Sequence, residues 1–178
     1  MKYLVVYSSR TGNTALLAEQ VRKTLGEESC LYFGAPSEAA EAAAKEAELI
    51  FAGFWTDKGD CSGEMTEFLE GLHGQKIFLF GTAGFGGSEE YFSRILERVK
   101  AHIPEENEII GSYMCQGKMP QSVRKRYESM LEQNPEDQRM QGMIDNFDRA
   151  LAHPDEHDLK AFDRALEALR AAERNSGE

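Results

Sequence analysis

The sequence predicts an α/β fold in which a mainly parallel sheet is covered by helices on both faces. Through residues 2–116, short apolar segments of strand character alternate with segments whose apolar residues recur at helical spacing. The strand segments are nearly continuous apolar runs, which is typical of parallel strands buried on both faces. Strands that alternate with helices imply βαβ units with right-handed crossovers. At 178 residues, the chain has the size of a single domain.

The first βα unit is the clearest. Residues 2–7 (KYLVVY) form a short apolar, β-branched and aromatic run that stops at Ser8, which predicts a buried strand. A polar loop, Ser8 to Gly12, follows, and Gly26 is expected to end the next helix. The apolar positions of that helix have the spacing of one helical face: Leu16, Leu17, Val21 and Leu25.

The same alternation continues along the chain. The further strands are predicted at Cys30–Phe33, Leu49–Trp55, Lys76–Thr82 and Glu108–Cys115. The helices between them are predicted at Ser37–Ala47, Glu64–Leu72 and Glu89–Ala101.

From Gly117 onward the apolar pattern is helical only. Three helices are predicted, at Pro120–Leu131, Glu136–Leu151 and Asp158–Leu169. The chain is therefore expected to be one domain, 1–174, with a helical insertion at about 117–152 and a disordered tail at 175–178.

Charge and cysteine content restrict the possible partners and compartment. The formal net charge of −11 argues against nucleic-acid binding, which depends on Lys and Arg. An acidic surface suits steering toward a basic patch on another protein, or it serves solubility alone. Three widely spaced cysteines indicate neither a disulfide framework nor a zinc site, which favours a reducing compartment. The apolar stretch Tyr3–Tyr7 is too short for a signal peptide or membrane span, so cytoplasm is expected, with no membrane insertion.

The most informative segment is the loop of residues 8–14 (SSRTGNT) between a buried strand and an amphipathic helix. A helix N-terminus presents unbonded backbone N–H groups and partial positive charge, so it can bind a phosphate group. The nucleotide-binding patterns GxxxxGK[ST] and GxGxxG are both absent. A helix capped by Ser and Thr without any ligand is the alternative.

The segment YSSRTGNTALLA closely resembles the phosphate-binding signature of the flavodoxin family, in which Thr-Gly-Asn-Thr opens the first helix. The resemblance extends over about residues 2–116 and the last helix. It implies a flavodoxin-like, five-stranded parallel sheet of order 2-1-3-4-5 and a bound flavin mononucleotide (FMN). Arg10 stands where many members have a small hydroxyl residue, and its side chain is expected to point to solvent. The implied phosphate-site residues are Ser8, Ser9, Arg10, Thr11, Gly12, Asn13 and Thr14.

Two further loops are expected beside the phosphate loop, because ligands of doubly wound sheets bind at the carboxyl ends of the strands. They are Trp55–Ser62 and Ala83–Ser88, and by resemblance they enclose the flavin ring. Trp55 is either a stacking residue or a strand-end core residue. Phe85 either stacks on the ring or covers its edge, since the second loop lacks the family's usual Asp and Tyr. The implied ring-site residues are Trp55, Thr56, Asp57, Lys58, Gly59, Ala83, Gly84, Phe85, Gly86 and Gly87.

The function expected from this resemblance is electron transfer from a reductase to an acceptor enzyme, with FMN as the cofactor. Acidic side chains are expected to disfavour the anionic reduced flavin. The inserted helices and the short Phe85 loop favour an alternative, an FMN-dependent oxidoreductase acting directly on a quinone, porphyrin or bilin-like substrate. A flavin-free binding module on the same fold is a third hypothesis. No catalytic residue and no metal ligand is predicted.

Three weaker features leave alternatives open. The basic patch of Lys118, Arg124, Lys125 and Arg126 either docks an acidic partner or a substrate carboxylate, or is a solvated helix face. The segment 117–152 covers the flavin edge, forms a homodimer contact, or adds to the core. The four-residue spacing of His153 and His157 is that of a metal site, but an intervening proline favours a solvated helix start.

Overall fold

Five parallel strands carry the fold in the computed structural model, which describes residues 1–86 and 88–177. The strand order is β2-β1-β3-β4-β5, and each neighbouring pair is parallel. The predicted α/β fold class and strand order are therefore confirmed. The strands are β1 (Tyr3–Tyr7), β2 (Cys30–Gly34), β3 (Leu49–Trp55), β4 (Lys76–Ala83) and β5 (Glu108–Gln116).

Within the described residues, seven α-helices connect and follow these strands. They are α1 (Asn13–Leu25), α2 (Glu38–Ala44), α3 (Gly63–Glu70), α4 (Glu89–Lys100), α5 (Gln121–Gln133), α6 (Gln138–Ala150) and α7 (Glu156–Ser176). Helix α2 starts one residue later than predicted because the Ser37 side chain caps it, accepting a hydrogen bond from the Ala40 N–H.

Helix α7 extends seven residues beyond the prediction, which ended it at Leu169. The added residues are mostly good helix formers, and Lys76 pairs with Glu173 at 2.9 Å, which holds this part of the helix near the sheet. The helix enters the segment 175–178 predicted to be disordered and ends at Ser176. Glu178 lies outside the described residues, so the prediction for the end of the tail stays untested.

Two hydrophobic layers cover the two faces of the sheet. On one face, Tyr3 and Val5 of β1 pack with residues of α1 and α7, including Phe162. On the other face, Leu4 and Val6 pack with residues of α2, α3 and α4. Successive strand residues point to opposite faces, so a continuous apolar run serves both layers.

Helices α5 and α6, which come between β5 and α7 in the sequence, pack against each other. Tyr127, Met140 and Ile144 make up a small buried cluster between them, and Phe147 is fully buried. The predicted helices of the segment 117–152 are therefore present. Within the described part of the chain, no helix combines the length and apolar character that crossing a membrane requires.

Candidate functional site

A cavity of about 250 Å³ opens at the carboxyl ends of β1, β3 and β4. The strand order reverses at β1, and such a switch point is where open α/β sheets bind ligands. Three loops far apart in sequence meet there, those that follow β1, β3 and β4. Eleven of the predicted site residues line the cavity: Arg10, Thr11, Asn13, Trp55, Thr56, Asp57, Lys58, Gly59, Ala83, Gly84 and Phe85.

The first loop leads directly into helix α1. Gly12 adopts a left-handed conformation (φ 87°) at the N-cap, without a capping side chain, and α1 begins at Asn13. None of the described residues accepts a hydrogen bond from the backbone N–H groups of Arg10, Thr11 or Gly12. The loop therefore offers an anion the donors of a helix N-terminus.

Several side chains of this loop bond to the protein. Thr14 is fully buried, and its hydroxyl donates to the Phe54 carbonyl (3.1 Å) and lies 3.1 Å from the Thr82 hydroxyl. Ser9 Oγ accepts from the Ala15 N–H (3.2 Å). Thr14 thus fixes the start of α1 to the ends of β3 and β4, while Ser9 ties the loop to the first turn of α1. Sequence reasoning placed them in the right loop without distinguishing these internal bonds.

Trp55 ends β3 and is half-buried, lining the cavity. Its Nε1 donates to Ser8 Oγ (3.2 Å), and Ser8 in turn donates to Glu64 Oε1 (2.5 Å). The Arg10 guanidinium lies 5.5 Å from the centre of the Trp55 ring. Arg10 is exposed to solvent, as expected, but its side chain also lies over the indole. The alternative that Trp55 is only a core residue does not fit its place in the cavity wall.

The second loop forms a tight turn. Asp57 and Asp60 exchange backbone hydrogen bonds of 2.8 and 3.1 Å, and Lys58 (φ 51°) and Gly59 (φ 82°) occupy the centre. Two central residues with positive φ are typical of a type I′ turn. The positive φ expected for Gly59 is confirmed. An added Cβ there would lie 2.9 Å from Arg98 Nη1, so the turn packs closely against α4.

Asp60 fastens this turn to the body of the protein. His102 Nε2 lies 2.9 Å from Asp60 Oδ2, and the Cys61 N–H donates to Asp60 Oδ1 at 2.8 Å. Partial burial opposes ionisation of Asp60, but the hydrogen bonds from His102 and the Cys61 amide outweigh it and hold the carboxyl pKa below its ordinary value. The turn is therefore held by an ionised carboxylate.

The third loop is held by two side-chain amides. The Gly84 carbonyl accepts hydrogen bonds from Gln116 Nε2 (3.0 Å) and Asn146 Nδ2 (3.1 Å). Phe85 is 38% exposed and packs edge-to-face with Tyr91, with ring centres 6.5 Å apart. Gly86 is described but is not among the lining residues, and the predicted site residue Gly87 lies outside the described residues.

A second wall of the cavity comes from a segment for which the sequence left three alternatives open. Its residues lie before and within α5: Lys118, Met119, Pro120, Val123, Arg126 and Tyr127. Thr82 and Tyr91 also line the cavity. The segment 117–152 lines the cavity and adds to the core, while its contact with a flavin edge and the homodimer contact stay predictions. The only sequence signals were an amphipathic spacing and a basic patch, and neither shows which surface a helix faces.

Gly117 joins this second wall to the first loop. Its N–H donates to the Ala83 carbonyl (2.9 Å), and the next carbonyl, of Lys118, accepts from Asn13 Nδ2 (2.9 Å) and Thr11 Oγ1 (3.2 Å). An added Cβ at Gly117 would lie 2.6 Å from Asn13 Cγ. The close approach of these two segments requires glycine at this position.

Four cationic side chains line the cavity, although the chain as a whole carries a net charge of −11. They are Arg10, Lys58, Lys118 and Arg126, and the acidic residue among the described lining residues is Asp57. The prediction of acidic side chains around the site is therefore wrong for the cavity itself, because the net charge of a chain does not give the distribution of its charges over the surface. Arg124, from the same predicted patch, instead bonds to Asp148 (2.9 Å).

His153 takes part in the hydrogen bonds at the start of α7. Asp155 caps the helix and forms a capping box with Asp158, and His153 Nδ1 lies 2.6 Å from Asp158 Oδ2. The helix start that the sequence favoured is therefore present, and His153, Asp155 and Asp158 also bring possible metal-ligand atoms within 4.8 Å of one another.

Sequence comparison finds relatives over nearly the whole chain. A sequence model of the flavodoxin domain matches residues 4–167. The flavodoxin-like domain-containing protein BilS of Clostridium symbiosum is 46% identical over 179 aligned residues, covering 93% of this chain and 94% of that protein. The protein of the same name from Clostridioides difficile is 34% identical and covers 89% of this chain and 90% of its own length.

Structural comparison agrees on the fold. A flavodoxin from Streptococcus pneumoniae TIGR4 superposes with a TM-score of 0.61 at 15% identity, covering 97% of this chain and 99% of that one. A short-chain flavodoxin associated with a bacterial microcompartment gives a TM-score of 0.50 at 16% identity, covering 84% of this chain and 98% of its own.

Proposed function

Because the chain belongs to the flavodoxin family, we propose that it binds FMN in the cavity at the ends of β1, β3 and β4 and passes electrons to a partner oxidoreductase. The observation that carries the proposal is the convergence of three separate loops on one cavity. One loop has the features of a phosphate site, and the other two supply an aromatic face and closely approaching backbone.

The loop 8–14 fits the phosphate group of FMN. The N–H groups of Arg10, Thr11 and Gly12 are available, and they lie at the N-terminus of α1, where the helix dipole favours an anion. Arg10 adds a full positive charge beside them. The hydrogen bonds of Thr14 and Ser9 hold the loop in this conformation.

The remaining loops fit a flat, partly polar ring. Trp55 offers an aromatic face at one side of the cavity, and its hydrogen bond to Ser8 fixes the indole plane. Gly59 and Gly84 line the cavity and have no side chains of their own, so the backbone of these two loops can approach the edges of a bound ring. Bound FMN supplies the electron-transfer chemistry, while these residues bind it, orient it and limit its contact with water.

We place the protein with a reductase and an acceptor enzyme in the cytoplasm. All three cysteines are free, which suits a reducing compartment. Cys61 and Cys115 are buried, and burial raises the pKa of both thiols, so neither is suited to thiol chemistry at neutral pH.

A second function is favoured by the wall that α5 contributes. Met119, Val123 and Tyr127 add an apolar surface to the cavity, and Met119 lies against Gly84 of the third loop. A flat organic substrate such as a quinone, porphyrin or bilin could bind against that surface beside the flavin. The protein would then be an FMN-dependent oxidoreductase with its own substrate.

Stepwise anaerobic reduction of the FMN-reconstituted protein tests both functions. For a carrier, we expect the visible spectrum to pass through a stable one-electron-reduced flavin before full bleaching. Direct two-electron bleaching, together with reduction of an added quinone by NAD(P)H, would instead support the enzyme. A protein that retains no flavin after reconstitution would contradict both functions.

A further inference from the structure

The mouth of the cavity is surrounded by a cationic rim, by which we mean Arg10, Lys58, Lys118 and Arg126. These residues come from the β1–α1 loop, the β3–α3 loop, the β5–α5 connection and α5. All four line the cavity and all four are exposed. Because these cations come from four separate elements, only the folded protein brings them together at one opening.

The rim charges are not neutralised by neighbouring carboxylates. Among the described residues, none of the four rim side chains forms an ion pair, whereas Arg22, Lys76 and Arg124 each do. Two rim residues instead lie against aromatic rings. Arg10 lies 5.5 Å from the Trp55 ring centre, and Arg126 lies 5.9 Å from that of Tyr127. Because Tyr127 is buried, this contact keeps Arg126 near the wall.

An exposed aromatic side chain completes the surface. Phe85 is 38% exposed at the edge of the cavity. Aromatic residues and arginine are enriched in protein–protein interfaces relative to other surface residues. The acidic Asp57 also lines the cavity, and Glu89 and Glu90 lie in the first turn of α4.

We propose that the redox partner docks on the cationic rim through an acidic surface. This inference rests on the proposed carrier function and names the chemistry of its partner. Complementary charge raises encounter rates and fixes orientation. The rest of the chain carries the whole excess of negative charge and repels an acidic partner, so attraction is confined to the face that holds the cofactor site.

The FMN phosphate does not cancel the rim. A phosphate monoester carries about −1.5 to −2 charge at neutral pH. It is bound by the N–H groups of the loop 8–14 and by Arg10, which leaves Lys58, Lys118 and Arg126 facing outward. At an ionic strength of about 0.1 M the screening length is about 10 Å, so the rim acts on a docked partner more strongly than distant acidic residues do.

Two haem proteins of opposite charge serve as probes, acidic cytochrome b5 and basic cytochrome c. Reduced FMN-loaded protein is mixed with each ferric cytochrome under anaerobic conditions. One electron passes from the reduced flavin to the ferric haem, which becomes ferrous, and the rate is followed across ionic strength. With cytochrome b5 we expect the rate to fall as salt rises above about 0.1 M, because screening weakens the rim attraction.

The matched variants lie on one helix and the segment before it. Lys118→Gln combined with Arg126→Gln is expected to lower the rate with cytochrome b5 about threefold to tenfold at about 0.1 M salt, on the scale of rim-charge effects on association. Lys125→Gln in α5 is exposed but does not line the cavity, and it is expected to change the rate less than about 1.5-fold.

Binding is measured separately from electron transfer. Oxidised, 15N-labelled, FMN-loaded protein is titrated with redox-inert, zinc-substituted cytochrome b5 and its amide resonances are followed. The proposal expects shifts gathered at Lys58, Phe85, Lys118 and Arg126. It is overturned if the amide shifts lie elsewhere or if basic cytochrome c produces them at the rim. If the rim substitutions change the reaction with the small dianion anthraquinone-2,6-disulfonate but not with cytochrome b5, the proposal is overturned in favour of an anionic substrate.

The failure of this inference can be told apart from failure of the carrier function. If the wild-type protein retains FMN and reduces cytochrome c, but neither cytochrome docks on the rim, only the docking inference fails. If the protein retains no FMN, the carrier function itself fails.

Discussion

The cavity has two walls of different construction. The strand-end wall consists of the loops after β1, β3 and β4, and the α5 wall consists of residues 117–127. The strand-end wall continues directly from strands that are buried on both faces. The α5 wall rests on a much smaller cluster around Tyr127 and Ile144. From this difference we infer that the firmly held strand-end wall binds the cofactor, while the less firmly held α5 wall adds Lys118 and Arg126 to the cationic rim.

The largest expected effect is on stability, and it compares a buried residue beneath each of the two walls. Leu17→Ala in α1 removes a fully buried side chain beneath the strand-end wall and should cost roughly 2–5 kcal/mol of global unfolding free energy. Ile144→Ala deletes a similar volume beneath the α5 wall and should cost about 2 kcal/mol, mainly by local opening of α5 and α6. Denaturation and amide hydrogen exchange measure both. Faster exchange in α1 of the Ile144 variant would contradict this difference between the walls.

The next effect concerns the buried hydrogen bonds by which Thr14 connects the start of α1 to β3 and β4. Thr14→Val removes a hydroxyl that bonds to the Phe54 carbonyl and the Thr82 hydroxyl. Both buried groups then lose this hydrogen-bond partner. We expect a loss of about 1–3 kcal/mol in unfolding free energy. Thr14→Ser keeps the hydroxyl and is the control. If Thr14→Val is as stable as wild type and Thr14→Ser is not, packing of the methyl group and not the hydrogen bonds holds this connection.

A smaller effect tests the connection between the walls. Gly117→Ala places a Cβ 2.6 Å from Asn13 Cγ and should displace the Asn13 side chain from the Lys118 carbonyl. We expect FMN affinity to fall roughly tenfold, about 1.4 kcal/mol, with little change in global stability. Gly142→Ala in α6 is the control, because the added Cβ would have no described atom within 4 Å apart from its chain neighbours and the nearby backbone of its own helix. Equal FMN affinity in both variants would show that the walls are independent.

The smallest effect depends on pH. Since the pKa of Asp60 is lowered in the folded protein, its carboxylate stabilises the fold above the ordinary carboxyl pKa of about 4, and this contribution is lost as pH falls through the lowered value. Asp60→Asn should therefore be less stable than wild type at pH 6, by at most about 1 kcal/mol for so exposed a pair. The difference should shrink toward pH 3. A difference that grows with acid would contradict the assignment.

The strand-end wall could be predicted from the sequence because its signals are local. A buried strand, a short polar loop and an amphipathic helix are contiguous, and the loop of residues 8–14 carries the family's motif. The resemblance then placed the other two loops beside it, and the strand order confirmed that placement. Gly59 was identified for its backbone freedom, which the turn at Lys58 and Gly59 uses.

The α5 wall could not be predicted because its signals are not local. The spacing of Val123 and Tyr127 predicts a helix with an apolar face, but that face packs partly on α6 and partly lines the cavity. The cationic rim could not be predicted from the sequence for the same reason. Net charge sums over the whole surface, while Arg10, Lys58 and Arg126 come together only through the strand order and the position of α5.

The most direct test of the central claim is a titration of the apoprotein with FMN and with riboflavin, followed by the fluorescence of Trp55, the single tryptophan of the chain. We expect FMN to quench the fluorescence with one equivalent per chain. Riboflavin lacks the phosphate, and the loss of two charge-assisted hydrogen bonds, roughly 3 kcal/mol, should weaken its binding about 100-fold. Equal affinities for the two ligands, or no quenching by either, would contradict the assignment of the loop 8–14 and Trp55 to one flavin site.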